Sequence, residues 1–134
     1  MTRENLETLM VQFYKKALND DTLGDFFVIE LGADMANEEW QEHIELLVNF
    51  WATLFLDEER YKGDPYGPHF SIIGLKKEDF DKWMENFSQT ADEIYIPEVS
   101  KKLKEKALIF AKEFVKRLHL DTSLNTLKSK VTWE

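Results

Sequence analysis

The chain has 134 residues, a length typical of one domain, and its hydrophobic fraction of 43% is too high for a disordered chain. Its formal charge of −9 argues against nucleic acids and anionic membranes as main partners, because both are negatively charged themselves. The lack of cysteine excludes disulfides, zinc–thiolate sites, iron–sulfur clusters and thiol catalysis. No stretch approaches the roughly 20 apolar residues of a membrane span, and the start MTRENLETLM lacks the apolar core of a signal peptide, so we expect a cytoplasmic protein.

Apolar residues recur at intervals of three and four over long stretches, which predicts helices, and no alternating pattern typical of strands occurs. The first helix is predicted from about Arg3 to Asn19, with Thr2 as its N-cap. A short segment over residues 20–32 follows and is predicted to contain one helical turn. A second long helix is predicted to begin at the cap residue Asn37.

An irregular stretch, Tyr61–Gly74, separates the second long helix from the third. It is rich in glycine and proline yet carries several apolar residues, so we expect it to cover part of the interior. The third helix is predicted over about 76–95 and the fourth over about 97–119. The fold class is therefore all-α, with one domain over residues 1–120 and a polar tail over residues 121–134.

Three of the predicted helices each carry one polar-tipped side chain on an apolar face, namely Tyr14, His43 and Trp83. Each has an ordinary explanation, because aromatic stripes are usually core and a lone buried histidine is more often hydrogen-bonded than a ligand. His69 lies in the irregular stretch, where apolar surroundings would keep its imidazole neutral and able to bind a metal. The third histidine, His119, ends the last helix, where positive charge suits the helix dipole.

This combination favours a large, flat cofactor with one axial imidazole. Haem needs broad apolar walls, one strong iron ligand, and polar groups on the opposite side that decide the fate of a bound gas. The sequence contains no glycine-rich phosphate loop and no Ser–His–Asp spacing that would favour another chemistry. A di-iron carboxylate bundle is rejected, because it would need two Glu-x-x-His motifs and more inward-facing acids.

At the level of motifs, the chain resembles the group III truncated haemoglobins over about residues 6–118. The matching segments are, in chain order, Phe13-Tyr14, Glu38-Glu39-Trp40-Gln41-Glu42-His43, Val48-Asn49-Phe50-Trp51, Tyr61-Lys62-Gly63, Pro68-His69 and Phe80-x-x-Trp83-x-x-x-Phe87. Like members of that group, the chain lacks Gly-Gly pairs. It departs from them in a longer connection over residues 28–36, which we expect to shift the pocket entrance.

The resemblance implies a two-over-two helical sandwich around haem b, with His69 as the proximal iron ligand. It implies that Tyr14, His43 and Trp83 face the bound gas, and that His43 also acts as a gate. The pocket walls that it implies are aromatic: Phe13, Phe50, Trp51, Phe55, Phe70 and Phe87. The implied partners are a diatomic gas (oxygen, carbon monoxide or nitric oxide) and, for any redox turnover, a reductase.

Two hydrogen-bond donors beside the gas would slow oxygen release, which suits detoxification of nitric oxide or peroxide better than oxygen delivery. The residues alone leave two other functions open. One is a non-haem helical domain that binds a partner helix in its groove, and the absence of a haem absorption band would favour it. The other is a peroxidase-like haem enzyme, which turnover with a reductant would separate from a simple oxygen binder.

Overall fold

The computed structural model describes residues 1–56 and 74–118, and within these ranges the protein consists of helices without a strand. The helices are α1 (Arg3–Leu18), α2 (Gly24–Leu31), α3 (Glu38–Phe55), α4 (Lys77–Ile94) and α5 (Pro97–Arg117). Four of them are the long helices predicted from the sequence, and their described ends lie close to the predicted ones. None of the helices in the described part of the chain is both long and apolar enough to cross a lipid bilayer.

The segment between α1 and α3 is more helical than predicted. Residues Val28–Leu31 belong to α2, so the connection to α3 is shorter than the predicted stretch over 28–36. Gly32 ends α2 at φ 91°, a left-handed conformation that favours glycine. The sequence offered no clear sign of this helix because four of its eight residues form one apolar run, FFVI, which includes the 78% exposed Ile29, so no amphipathic period results.

The predicted caps at the starts of α1 and α3 are both present. The Thr2 hydroxyl accepts the Asn5 N–H at 3.2 Å, and the Asn5 side-chain oxygen accepts the Thr2 N–H at 2.9 Å, a reciprocal capping box. The Asn37 side-chain oxygen accepts the Trp40 N–H at 2.8 Å. These caps fix the starts of the helices that carry Tyr14 and His43, two of the three predicted polar residues.

Helix α1 lies at the centre of the packing. It contacts α2, α3 and α4, and α4 in turn contacts α5, so that the pair α1–α3 lies over the pair α4–α5. The apolar face of α1 is completely enclosed, with Leu6, Leu9 and Ala17 at 0% exposure. Each fully buried leucine of this kind stabilises the fold by about 1.5–3 kcal/mol, so the apolar face of α1 contributes strongly to the stability of the core.

Two polar links hold α4 against the two ends of α1. The Tyr95 hydroxyl, at the end of α4, donates to the side-chain oxygen of Asn5 at 2.7 Å. The Asn86 amide donates to one carboxylate oxygen of Asp20 at 3.1 Å, and the other oxygen accepts the Thr22 N–H at 2.8 Å. Because hydrogen bonds are directional, these links fix which face of α4 is turned toward α1.

Candidate functional site

Tyr14 and His43 come together where α1 meets α3. Their ring centroids lie 5.2 Å apart at an interplanar angle of 76°, an edge-to-face contact. Tyr14 is only 5% exposed, while His43 is partly buried. The sequence placed each residue on the apolar face of its helix, but it did not predict that the two rings touch.

The Tyr14 hydroxyl is a buried donor. Burial raises the pKa of the Tyr14 phenol above its usual range, so the group stays protonated at physiological pH. Within the described ranges, Tyr14 contacts the rings of Phe13, Phe27, Trp40 and His43, and its hydroxyl forms no hydrogen bond there. The proton is therefore held in place and is available to an acceptor that enters the site.

Trp83 of α4 reaches this pair through Phe13. The ring centroid of Phe13 lies 4.8 Å from that of Tyr14 and 5.5 Å from that of Trp83, edge-to-face in both cases. The Trp83 indole N–H, which can only donate, forms no hydrogen bond with any of the residues described. Phe13 thus contacts both Tyr14 and Trp83, and Tyr14 contacts His43, so the three predicted ligand-facing residues belong to one connected group of rings.

Two other aromatic side chains with polar tips, Trp40 and Tyr95, do have acceptors. The Trp40 indole N–H donates to the Gly32 carbonyl at 2.8 Å, and the Tyr95 hydroxyl has the side-chain partner described above. Most buried side-chain donors in folded proteins are paired in this way. Neither the Tyr14 hydroxyl nor the Trp83 N–H has an acceptor among the described residues, so both are able to donate to a ligand.

The predicted wall residues of α3 and α4 form a continuous stack. Phe55 stacks on Trp51 at 5.9 Å, Trp51 on Phe87 at 5.3 Å, and Phe87 on Trp83 at 5.3 Å, with interplanar angles between 17° and 27°. Phe50 packs edge-on against Trp51 at 5.5 Å. Each such aromatic pair contributes about 0.5–1.5 kcal/mol beyond its buried area, so the wall is rigid as well as apolar.

We call this continuous set of rings the aromatic cluster. Its members are Phe13, Tyr14, His43, Phe50, Trp51, Phe55, Trp83 and Phe87. Every predicted site residue in the described ranges belongs to it. His69 and Phe70, like His119 and the tail from residue 121, lie outside the described residues.

The sequence analysis missed three residues that touch the cluster, and one of them is Phe110 of α5, which contacts Phe50 at 5.0 Å and Trp51 at 6.2 Å. Trp40 of α3 contacts Tyr14 at 5.3 Å and His43 at 5.7 Å, and Phe27 of α2 contacts Tyr14 at 5.2 Å. Trp40 could have been found, because it precedes His43 by three positions and shares its helix face. Phe27 offered no such signal, since its segment was predicted to be a single turn.

The buried tyrosines predict a loss of stability in alkali. Burial raises the pKa of Tyr95 to about 12 and also raises that of Tyr14, whereas an unfolded tyrosine titrates near about 10. The resulting stabilisation is fully present below a pH of about 10 and is lost as the pH rises through the folded-state values. Urea unfolding of the apoprotein should therefore show a falling midpoint above about pH 10, with a shallower fall for Tyr95→Phe. Identical pH profiles for the two chains would contradict the contribution of Tyr95.

A separate groove runs between α4 and α5. Its volume is about 570 Å³, and its apolar lining includes Phe80, Met84, Leu108 and Val115. Its lining residues all differ from those of the aromatic cluster.

Comparison with known proteins identifies the family. No family model matches the chain. A group 3 truncated haemoglobin of Campylobacter jejuni is 30% identical over 119 residues, which cover 89% of this chain and 92% of that protein. The chain belongs to the group III truncated haemoglobins. The crystal structure of a group III truncated haemoglobin from the same species matches this truncated haemoglobin with a TM-score of 0.81 at 30% identity, over 88% of this chain and 91% of that one.

The family membership confirms the all-α, two-over-two fold predicted from the sequence and makes the chain a haem-binding globin for diatomic ligands. It lends no support to a non-haem domain that binds a partner helix. The described residues of this truncated haemoglobin suit haem, because the aromatic cluster supplies flat apolar walls and the Tyr14 and Trp83 donors lie among them.

Proposed function

We propose that the chain binds haem b with His69 as the proximal iron ligand, and that Tyr14, His43 and Trp83 face the diatomic gas on the opposite side. The observation that carries this proposal is the pair of donors, Tyr14 hydroxyl and Trp83 N–H, that form no hydrogen bond within the described ranges. Both groups are therefore able to donate to an acceptor that enters the site, and Tyr14 does so from a side chain that is only 5% exposed.

The two donors suit a ligand that becomes negatively charged. Ferrous haem, when bound, supplies an iron atom that holds the gas and shifts negative charge onto its outer atom. Tyr14 would donate to that atom from a phenol that burial keeps protonated, and Trp83 would donate from its indole N–H. A hydrogen bond to a charged acceptor is worth about 1.5–3 kcal/mol, and the apolar rings around Tyr14 favour the upper part of that range for its hydroxyl.

Donors of this strength favour retention of oxygen over its release, because each 1.4 kcal/mol changes a dissociation constant about tenfold. Retention suits the oxidation of nitric oxide or the removal of peroxide better than oxygen delivery. Either reaction consumes electrons, so we include a reductase among the partners. The formal charge of −9 favours a reductase with a basic docking face, and the lack of cysteine suits the reducing cytoplasm.

The experiment that tests the proposal begins with titration of the purified apoprotein with haemin, followed by reduction and exposure to carbon monoxide or oxygen. We expect one haem per chain and an intense absorption band that shifts with each gas. Nitric oxide added to the oxygenated protein should appear as nitrate. A chain without a gas-sensitive band would overturn haem binding, whereas gas binding without nitrate formation would overturn the role in nitric oxide removal.

A further inference from the structure

Trp40 forms a triangle of ring contacts with Tyr14 and His43. It is 0% exposed, and its ring centroid lies 5.3 Å from Tyr14 and 5.7 Å from His43, while those two rings lie 5.2 Å apart. All three contacts are edge-to-face, a geometry that depends on the orientation of each ring. A displacement of Trp40 would therefore move or release both of the polar residues that we place beside the gas.

The indole of Trp40 is itself anchored by the backbone between α2 and α3. Its N–H donates to the Gly32 carbonyl at 2.8 Å, and its backbone N–H is capped by the Asn37 side-chain oxygen at 2.8 Å. The Asn37 amide in turn donates to the Leu31 carbonyl at 2.9 Å. We call these four residues, Leu31, Gly32, Asn37 and Trp40, the α2–α3 clasp.

The clasp leaves little room for adjustment. Gly32 has φ 91°, and a Cβ atom at this position would lie 2.8 Å from the Asn37 amide nitrogen. On its other side, Phe27 of α2 contacts both Tyr14 at 5.2 Å and Trp40 at 6.1 Å. Hydrogen bonds thus join the end of α2 to the start of α3. The Trp40 ring, which makes one of these bonds, contacts Tyr14 and His43 directly.

We propose that Trp40 is a positioning residue for the gas site, and that the α2–α3 clasp holds Tyr14 and His43 in contact through its ring. This rests on the function proposed above for those two residues. A tryptophan that only filled space in the core would need no hydrogen bond to fix its orientation. The Trp40 indole N–H, however, donates to the Gly32 carbonyl, and its ring contacts Tyr14 and His43 rather than only aliphatic side chains.

The test compares Trp40→Phe with Tyr95→Phe. Both substitutions keep a buried ring and remove one neutral hydrogen bond, of 2.8 Å and 2.7 Å respectively, but Tyr95 has no ring contact with Tyr14 or His43 among those described. In the apoprotein, we expect the nuclear Overhauser effect between the Tyr14 and His43 rings to weaken in Trp40→Phe and to persist in Tyr95→Phe. In the haem complex, oxygen dissociation should accelerate about tenfold in Trp40→Phe, equivalent to about 1.4 kcal/mol, and stay near the original rate in Tyr95→Phe.

Asn37→Ser provides a second variant if Trp40→Phe does not fold. Serine keeps the helix cap but removes the bond to the Leu31 carbonyl, so it loosens the clasp and leaves every ring in place. We expect the nuclear Overhauser effect between the Tyr14 and His43 rings to weaken and oxygen dissociation to accelerate, both by less than in Trp40→Phe. An unaltered Tyr14–His43 contact and oxygen rate in a folded clasp variant would overturn the positioning role. That outcome is distinct from failure of the proposed function, in which the unsubstituted chain itself would bind no gas.

Discussion

His69→Ala is expected to abolish the stable haem complex that the unsubstituted chain forms. The imidazole would be the direct protein bond to iron, and even the groups that merely support a metal ligand change metal affinity by about 10- to 100-fold. We therefore expect haem affinity to fall by more than about 10-fold, with a weakened and displaced absorption band. Haemin titration followed by absorption spectroscopy measures both effects.

The chain provides its own control for this substitution. His119→Ala removes the histidine that we assigned to a helix end, and it should leave the haem spectrum unchanged. Added imidazole should restore part of the band in His69→Ala, because a small ligand can occupy the space left by the side chain. An unaltered spectrum in His69→Ala would assign the iron to another residue. His43, the histidine in the described ranges, would then be the first to examine.

Tyr14→Phe is expected to accelerate oxygen dissociation by about 10- to 150-fold. The estimate follows from removal of one hydrogen bond to a charged acceptor, worth about 1.5–3 kcal/mol, at about 1.4 kcal/mol per factor of ten. The ring contacts of Tyr14 with Phe13, Trp40 and His43 would remain, since phenylalanine keeps the same ring. Stopped-flow displacement of oxygen by carbon monoxide measures the rate.

Tyr95→Phe is the matched control, because it removes a buried hydroxyl that has a protein acceptor outside the aromatic cluster. Its oxygen rate should equal that of the original chain. Carbon monoxide dissociation should change less than oxygen dissociation in Tyr14→Phe, since carbon monoxide takes up less negative charge. Equal oxygen rates in the Tyr14 and Tyr95 variants would remove Tyr14 from the ligand-binding site.

The long helices could be predicted because their apolar residues repeat at helical spacing and their caps are explicit. Thr2 and Asn37 are both side-chain caps in the structure, as predicted. The length of helix α2 was underestimated because its sequence lacks this helical spacing. Its run of apolar residues has no period, and the glycine that ends it, Gly32, gives a stop signal that serves a turn and a helix equally well.

The site was predictable as a set of residues but not as an arrangement. Helical periodicity identifies the inward face of one helix, so it placed Tyr14, His43 and Trp83 in the interior. It contains no information on which residues of different helices meet, and the Tyr14–His43 contact and the intervening Phe13 therefore came only from the structure. The spacing of Trp40 to His43 puts both on one helix face, but an apolar stripe does not show which of its members uses a polar atom.

The central position of α1 has a consequence for synthesis on the ribosome. The helix is made before its partners, and its apolar face is closed only when α3 and finally α4, which ends at Ile94, have emerged. At roughly 5–20 residues per second, the stretch from the end of α1 to the end of α4 takes roughly 4–15 s to translate. During that interval Leu6, Leu9 and Phe13, all enclosed in the finished protein, are accessible to chaperones on the nascent chain.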